Sequence, residues 1–220
     1  MGLCLAGAMA SVVAQAGVIT EVTRTYTVGY VLGDVEDPPV TFEQTVTDST
    51  ITSLTEVRVG LHLVGVNPGE GWASEMYVSL NQDLTRTAVL LNGVGITGTD
   101  AVGFGYDGWN TTFRDGASGG DVHGVVPGAA VLVGEVEPDG RLDALDTARP
   151  SMLSVFVGGT GNGVWRLSVG DLSVGGRMQL VSWSLTLSGA SPIPETGVWV
   201  GSGGVLMAGW LWCLRRGRRG

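Results

Sequence analysis

Two apolar runs near the C-terminal third of the chain constrain the fold most. Val164, Trp165, Leu167 and Val169, then Leu180, Trp183, Leu185 and Leu187, recur largely at every second position, with glycine-rich sequence between them. That period places successive side chains on opposite faces of an extended backbone, so each run describes a strand with one buried face. Residues 161–187 therefore read as a closing β-hairpin, two strands joined by a Gly-rich turn.

The alternation recurs upstream. Residues 18–32 alternate with many Thr and Val, as a strand or hairpin does, and residues 34–39 break the pattern. Ile51, Leu54, Val57, Val59, Leu61 and Leu63 keep a period of two over most of their length, and Met76, Val78 and Leu80 repeat it. Residues 88–91 form a short continuous apolar run. No stretch of the body carries a sustained helical period, so almost no helix is expected. Glycine occurs 37 times among 220 residues without a three-residue repeat, which excludes collagen and suits many tight turns. Short strands separated by Gly, Asn and Asp turns predict an all-β chain, an antiparallel β-sandwich or jelly roll.

Charge removes several function classes. The chain has no Lys, and four of its 12 Arg lie at Arg215, Arg216, Arg218 and Arg219. Between residues 17 and 192 eight Arg stand against 20 Asp and Glu, a net charge of −12, and a field of that sign repels phosphate backbones. Nucleic acid is therefore not an expected partner. Cys4 and Cys213 both lie in apolar terminal segments, which excludes a disulfide framework or a Cys-based zinc site in the body.

The two ends read as addresses. An apolar stretch leads to Ala14-Gln15-Ala16, so residues 1–16 are expected to be a secretory signal peptide cleaved after Ala16, with Ala14 and Ala16 as the small residues. It lacks a basic n-region, since the first Arg is Arg24. Residues 17–190 form the body, and residues 191–220 a C-terminal sorting signal. Within the latter, 198–214 is a run of 17 uncharged residues, at the short limit of the about 17 to 25 that span a bilayer. The Arg cluster after it would hold that end in the cytoplasm and leave the body outside.

Catalytic patterns are weak. Gly116-Ala117-Ser118-Gly119-Gly120 fits G-x-S-x-G, but no His follows His123, and a nucleophile elbow needs a strand before it and a helix after it. His62, between Leu61 and Leu63, is expected on the solvent face of its strand, and His123 follows a Gly-rich loop. G-x-G-x-x-G occurs at 93–98 and 103–108, opening no helix, so turns explain both better than a dinucleotide site does. Asp100, Asp107, Asp115 and Asp121 lie within 22 residues of Gly-, Asn- and Ser-rich loop, and their hard oxygens suit Ca²⁺. They are the candidate calcium ligands, against a reading as solvated loop carboxylates; no other cofactor is expected. Trp165 and Trp183 are expected to pack in the core or on a sheet face, and Trp72 and Trp109 to lie in loops.

The residues Asn162-Gly163-Val164-Trp165-Arg166-Leu167-Ser168-Val169-Gly170-Asp171, with Ser182-Trp183-Ser184-Leu185, resemble the end of the P domain (P/Homo B) that follows the catalytic domain of proprotein convertases and many bacterial subtilases. The likeness extends, towards P-domain-like proteins with PEP-CTERM tails, to 51–59, 76–80, 88–95, 104–106, 110–115 and 120–123, then to Pro138-Asp139-Gly140-Arg141, Leu145-Asp146-Thr147 and Arg149. Glu75 and Arg114 depart from it, where a Gly-Asp pair and a second Asp are common, and so weaken an inherited acidic metal site. The resemblance implies a galactose-binding-like jelly roll without catalytic residues, a module that packs on and stabilises a protease. The tail resembles a PEP-CTERM signal handled by an exosortase in Gram-negative bacteria, except for Thr196 where a second proline is usual. Its residues Ile193-Pro194-Glu195-Thr196-Gly197 also resemble the L-P-x-T-G sortase signal, apart from Ile193. Pro194, Glu195, Thr196, Gly197, Arg215 and Arg216 are the expected sorting residues, and an uncleaved anchor is the third reading.

The expected function is an exported, surface-anchored, non-catalytic β-sandwich in cell-surface or extracellular-matrix interaction. An accessory subunit docking on a separately encoded subtilisin-like protease and a carbohydrate-binding module are the alternatives. The expected partners are thus an exosortase or sortase, the membrane, and a polysaccharide or a subtilase.

Overall fold

Among the described residues nine strands form, six of them where the alternations place them and β2, β6 and β7 in addition: β1 Val18–Val31, β2 Val40–Val46, β3 Ser53–Gly65, β4 Met76–Gln82, β5 Arg86–Asn92, β6 Gly108–Phe113, β7 Val131–Val136, β8 Gly163–Asp171 and β9 Met178–Ser191. The computed structural model describes residues 18–33, 38–67, 71–105, 107–125, 131–174 and 176–192. Among them helix is confined to single 3-10 turns at Ala73–Glu75, Val122–Gly124 and Leu153–Phe156. The strands form a five-stranded sheet, β1-β9-β3-β6-β7, and a four-stranded sheet, β2-β8-β4-β5. Every neighbouring pair is antiparallel except β6 and β7, which are parallel. The chain is a β-sandwich, and the parallel pair is the one departure from the expected antiparallel pattern.

The inward rows make the core. Val57, Val59, Leu61 and Leu63 from β3 and Trp183, Leu185 and Leu187 from β9 face Met76, Val78 and Leu80 from β4 and Trp165, Leu167 and Val169 from β8, all essentially buried. Phe156 packs at a tilt against Trp165 with ring centroids 5.1 Å apart, and Tyr26 against Trp183 at 4.6 Å. Two slips in the apolar phase have a physical cause. Leu54 and Val57 are out of step by one residue, as are Leu180 and Trp183, and the β3–β9 register shifts at both places. A bulge adds one residue to one strand, so the inward row resumes on the other parity. The continuous run in β5 is likewise explained: Ala88, Val89, Leu90 and Leu91 are all buried. The loop after β7 lies along β5, with Val89 N donating to Ser151 O at 2.8 Å and Asp139 N to Leu90 O at 3.0 Å. That loop covers what would otherwise be an open sheet edge.

One expectation is corrected. Residues 161–187 do not form a hairpin: β8 lies between β2 and β4, and β9 lies between β1 and β3 in the other sheet. The connection between them is a corner that carries the chain across the core. Alternation reports that a strand has one buried face and is silent about its neighbour, so two strands facing each other across the core carry the same pattern as two paired side by side. Trp109, expected in a loop, is also placed differently: it sits in β6 with 0% exposure.

Among the described residues no helix is long and apolar enough to cross a membrane. The expected span 198–214, the sorting residues Pro194, Glu195, Thr196, Gly197, Arg215 and Arg216, and the cleavage residues Ala14 and Ala16 lie outside the described residues.

Candidate functional site

At the end of the sandwich where β1 leaves and β2 begins, strand directions also gather the β3–β4, β5–β6 and β8–β9 connections. They are tied to one another through the backbone. Gly65 N donates to Asp107 O at 2.6 Å, Ser74 N to Phe104 O at 3.1 Å, and Leu172 N to Glu75 O at 2.6 Å. After β5 the chain reverses at Gly93 and Gly95, both at positive φ, and a side chain at Gly95 would collide with the Phe104 ring 2.5 Å away. Between these loops lies a cleft of about 440 Å³ whose lining includes Trp72, Ser74, Glu75, Asn92, Ile96 and Ala144. Trp72 immediately precedes the 3-10 turn Ala73–Glu75 and is 39% exposed. Its six-membered ring lies against Gly105, where an added methyl would touch Cε3 at 3.4 Å and Cζ3 at 3.5 Å. A second depression of about 290 Å³, bordered by Thr97, His123, Arg141 and Thr147, adjoins the first, and Ile96 and Ala144 line both.

Beside the cleft is a polar cluster that sequence reasoning missed. His123 is buried, with Nε2 donating to the Ile96 carbonyl at 2.8 Å and Nδ1 2.9 Å from Asp139 Oδ2. The Asp139 side chain is 0% exposed and takes a second contact from Arg141 Nη1 at 3.0 Å. The Arg141 guanidinium also reaches Asp121 Oδ2 at 2.6 Å, and it is only 12% exposed. Arg149 joins the cluster from the next turn, pairing with Glu137 at 2.8 Å and donating to the carbonyls of Asp139 (2.8 Å) and Pro138. Burial pushes the Asp121 carboxyl up, but hydrogen bonds from Arg141 and the His123 amide, with the charges of Arg141 and Arg149, outweigh it and hold its pKa below the ordinary value. Burial likewise lowers the Arg141 pKa, and its bonds to Asp121 and Asp139 reverse that and leave it raised. The cluster fixes the cleft wall, since Asn92 Nδ2 donates to the Arg141 carbonyl at 3.3 Å.

The expected ligand set for calcium is not brought together. Asp100 holds its own turn by accepting from Val102 N (3.0 Å) and Gly103 N (3.2 Å), and Asp115 accepts from Leu153 N (3.1 Å) and Ser154 N (2.7 Å). Asp107 serves through its carbonyl, and Asp121 belongs to the arginine cluster. Among the described residues no group of three or more His, Cys, Asp or Glu is placed to hold a metal ion. Between Asp121 and Asp139 a guanidinium supplies the positive charge that a cation would otherwise bring. Ser118 is exposed in a run of turns between Phe113 and the 3-10 turn Val122–Gly124, with no α-helix after it, so the strand-turn-helix of a nucleophile elbow is not formed. Both ring nitrogens of His123 face other partners. His62 lies on the outer face of β3, half-buried over a shallow groove at Gly60 with Thr25, Asn110 and Ser182.

No protein-family model matches the chain, and no curated protein matches it by sequence. Among solved structures it is similar to a chain of the Aeromonas sobria serine protease in complex with the chaperone ORF2, with a TM-score of 0.48 and 16% identity over 80% of this chain and 28% of that one. A second is the serine protease of Aeromonas sobria, with a TM-score of 0.43 and 14% identity over 78% and 27%. The chain thus spans less than a third of the length of either.

Proposed function

We propose that this chain is an exported, non-catalytic interaction module whose contact surface is the loop end of the sandwich. The observation that carries the reading is Trp72: a large aromatic ring, 39% exposed, in a cleft that three interlocked connections build on a rigid frame. Binding residues concentrate on loops positioned by a stable scaffold, and exposed aromatic groups in a concave site mark contact surfaces. The sequence supports the rest of the assignment. Removal of residues 1–16 would release a body at 17–190, and the tail at 191–220 would tether it to the envelope as an exosortase or sortase substrate or as a plain anchor.

The full chain, purified in detergent, tests this by co-sedimentation with cell-envelope and extracellular-matrix fractions from the producing bacterium. The wild type should sediment with at least one fraction and Trp72→Ala should lose most of that binding. Equal sedimentation of the two proteins would overturn the reading, as would peptidase or glycosidase turnover that survives repeated purification. Docking on a separately encoded subtilase predicts a different result: the protease should co-purify from native membranes, with or without Trp72.

A further inference from the structure

From the two adjoining depressions we infer that the loop end binds a neutral saccharide chain, one pyranose ring stacked on Trp72 and the next lying beyond Ile96 and Ala144. This rests on the reading of the loop end as the contact surface and names its ligand class. A pyranose presents a flat face of C–H groups and an equatorial rim of hydroxyls. The cleft offers the complement: the Trp72 ring for the apolar face, and a polar wall in which Ser74 and Asn92, each under a tenth exposed, stand beside the half-buried Glu75. The ring is held for this, because it lies against Gly105 and not free in solvent.

Length follows from the second depression, where Thr97 and Thr147 bring hydroxyl groups to the border. The shared wall residues Ile96 and Ala144 carry no polar side-chain groups, and a chain crossing them needs none there. Neutrality follows from charge. Glu75 lies in the cleft and the body carries a net charge of −12, eight Arg against 20 acids, which disfavours uronates and sulfated sugars.

The full chain, in a detergent without a sugar head group, is titrated calorimetrically with glucose and with gluco-, manno- and xylo-hexaoses, a uronate hexamer, choline and a lysine-rich peptide. At least one neutral hexaose should bind, about tenfold or more tighter than the single sugar. Trp72→Ala should weaken it by about tenfold or more, as truncation of a buried aromatic anchor does, and Trp72→Phe should recover most of the affinity. A thermal melt showing both variants folded secures that comparison. Tighter binding of the uronate, choline or the peptide overturns the sugar assignment. Silence of every neutral sugar, together with Trp72-dependent sedimentation of the envelope fraction, overturns it and leaves the interaction surface standing. Silence in both experiments removes both.

Discussion

At the scale of single residues, Arg141 holds together what burial would drive apart. Asp139 is fully buried, and without the guanidinium its carboxylate would keep only His123 and a long contact from the residue 141 amide at 3.4 Å. Arg141→Met should therefore cost about 3 kcal/mol, the usual cost of breaking a buried pair from one side, read from urea midpoints at unchanged slope. Asp121 gives a pH signature. Its folded pKa lies below the unfolded value of about 3.8, so its contribution is present above that value and is lost as pH falls through the folded one. The stability gap between wild type and Asp121→Asn should hold from pH 7 to pH 5 and shrink below pH 4. A gap independent of pH down to 2 would contradict the pairing. Since guanidinium groups supply the positive charge at this cluster, chelation with EDTA should leave the thermal midpoint within about 1 °C. Of this cluster only Asp121 was singled out from the sequence, and then as a calcium ligand rather than as an arginine partner. His123 and Asp139 stand 16 positions apart, and no local spacing joins them. The signal lay in Pro138-Asp139-Gly140-Arg141 and Arg149, which matched a family pattern without any role attached to them.

At the scale of elements, alternation located most strands, and even its faults were informative, since each phase slip in β3 and β9 proved to be a bulge. What alternation could not supply was the neighbour of each strand. The separation of β8 from β9 can be tested by cross-linking in a Cys4→Ser, Cys213→Ser background. Thr41→Cys with Ser168→Cys joins β2 to β8, whose hydroxyls lie 2.9 Å apart, and should oxidise readily. Ser168→Cys with Val181→Cys, which a β8–β9 hairpin would bring together, should stay reduced, as non-reducing gel mobility would report. Trp109 was hidden for a related reason: β6 has only six residues, opens at Gly108 and carries Asn and Thr on its outer face, so its composition resembles a loop. Its burial comes from its place in the core, into which β6 is set by pairing with β3 and β7 on either side.

For the whole molecule, the last two strands to be made occupy interior positions, β8 between β2 and β4 and β9 between β1 and β3. Truncation after Asp171 should abolish the cooperative unfolding transition, whereas ending the chain at Pro192 should preserve it, as circular dichroism melts would show. The same placement sets when the body can fold. Its early strands have no complete partner set until residue 191 is available, and pairings between β1 and β9, such as Val18 with Ser191, close nearly the full length of the body. By keeping its central strands for last, this sequence withholds its own closure until the whole body is present, and the order of the strands acts as a timer for folding.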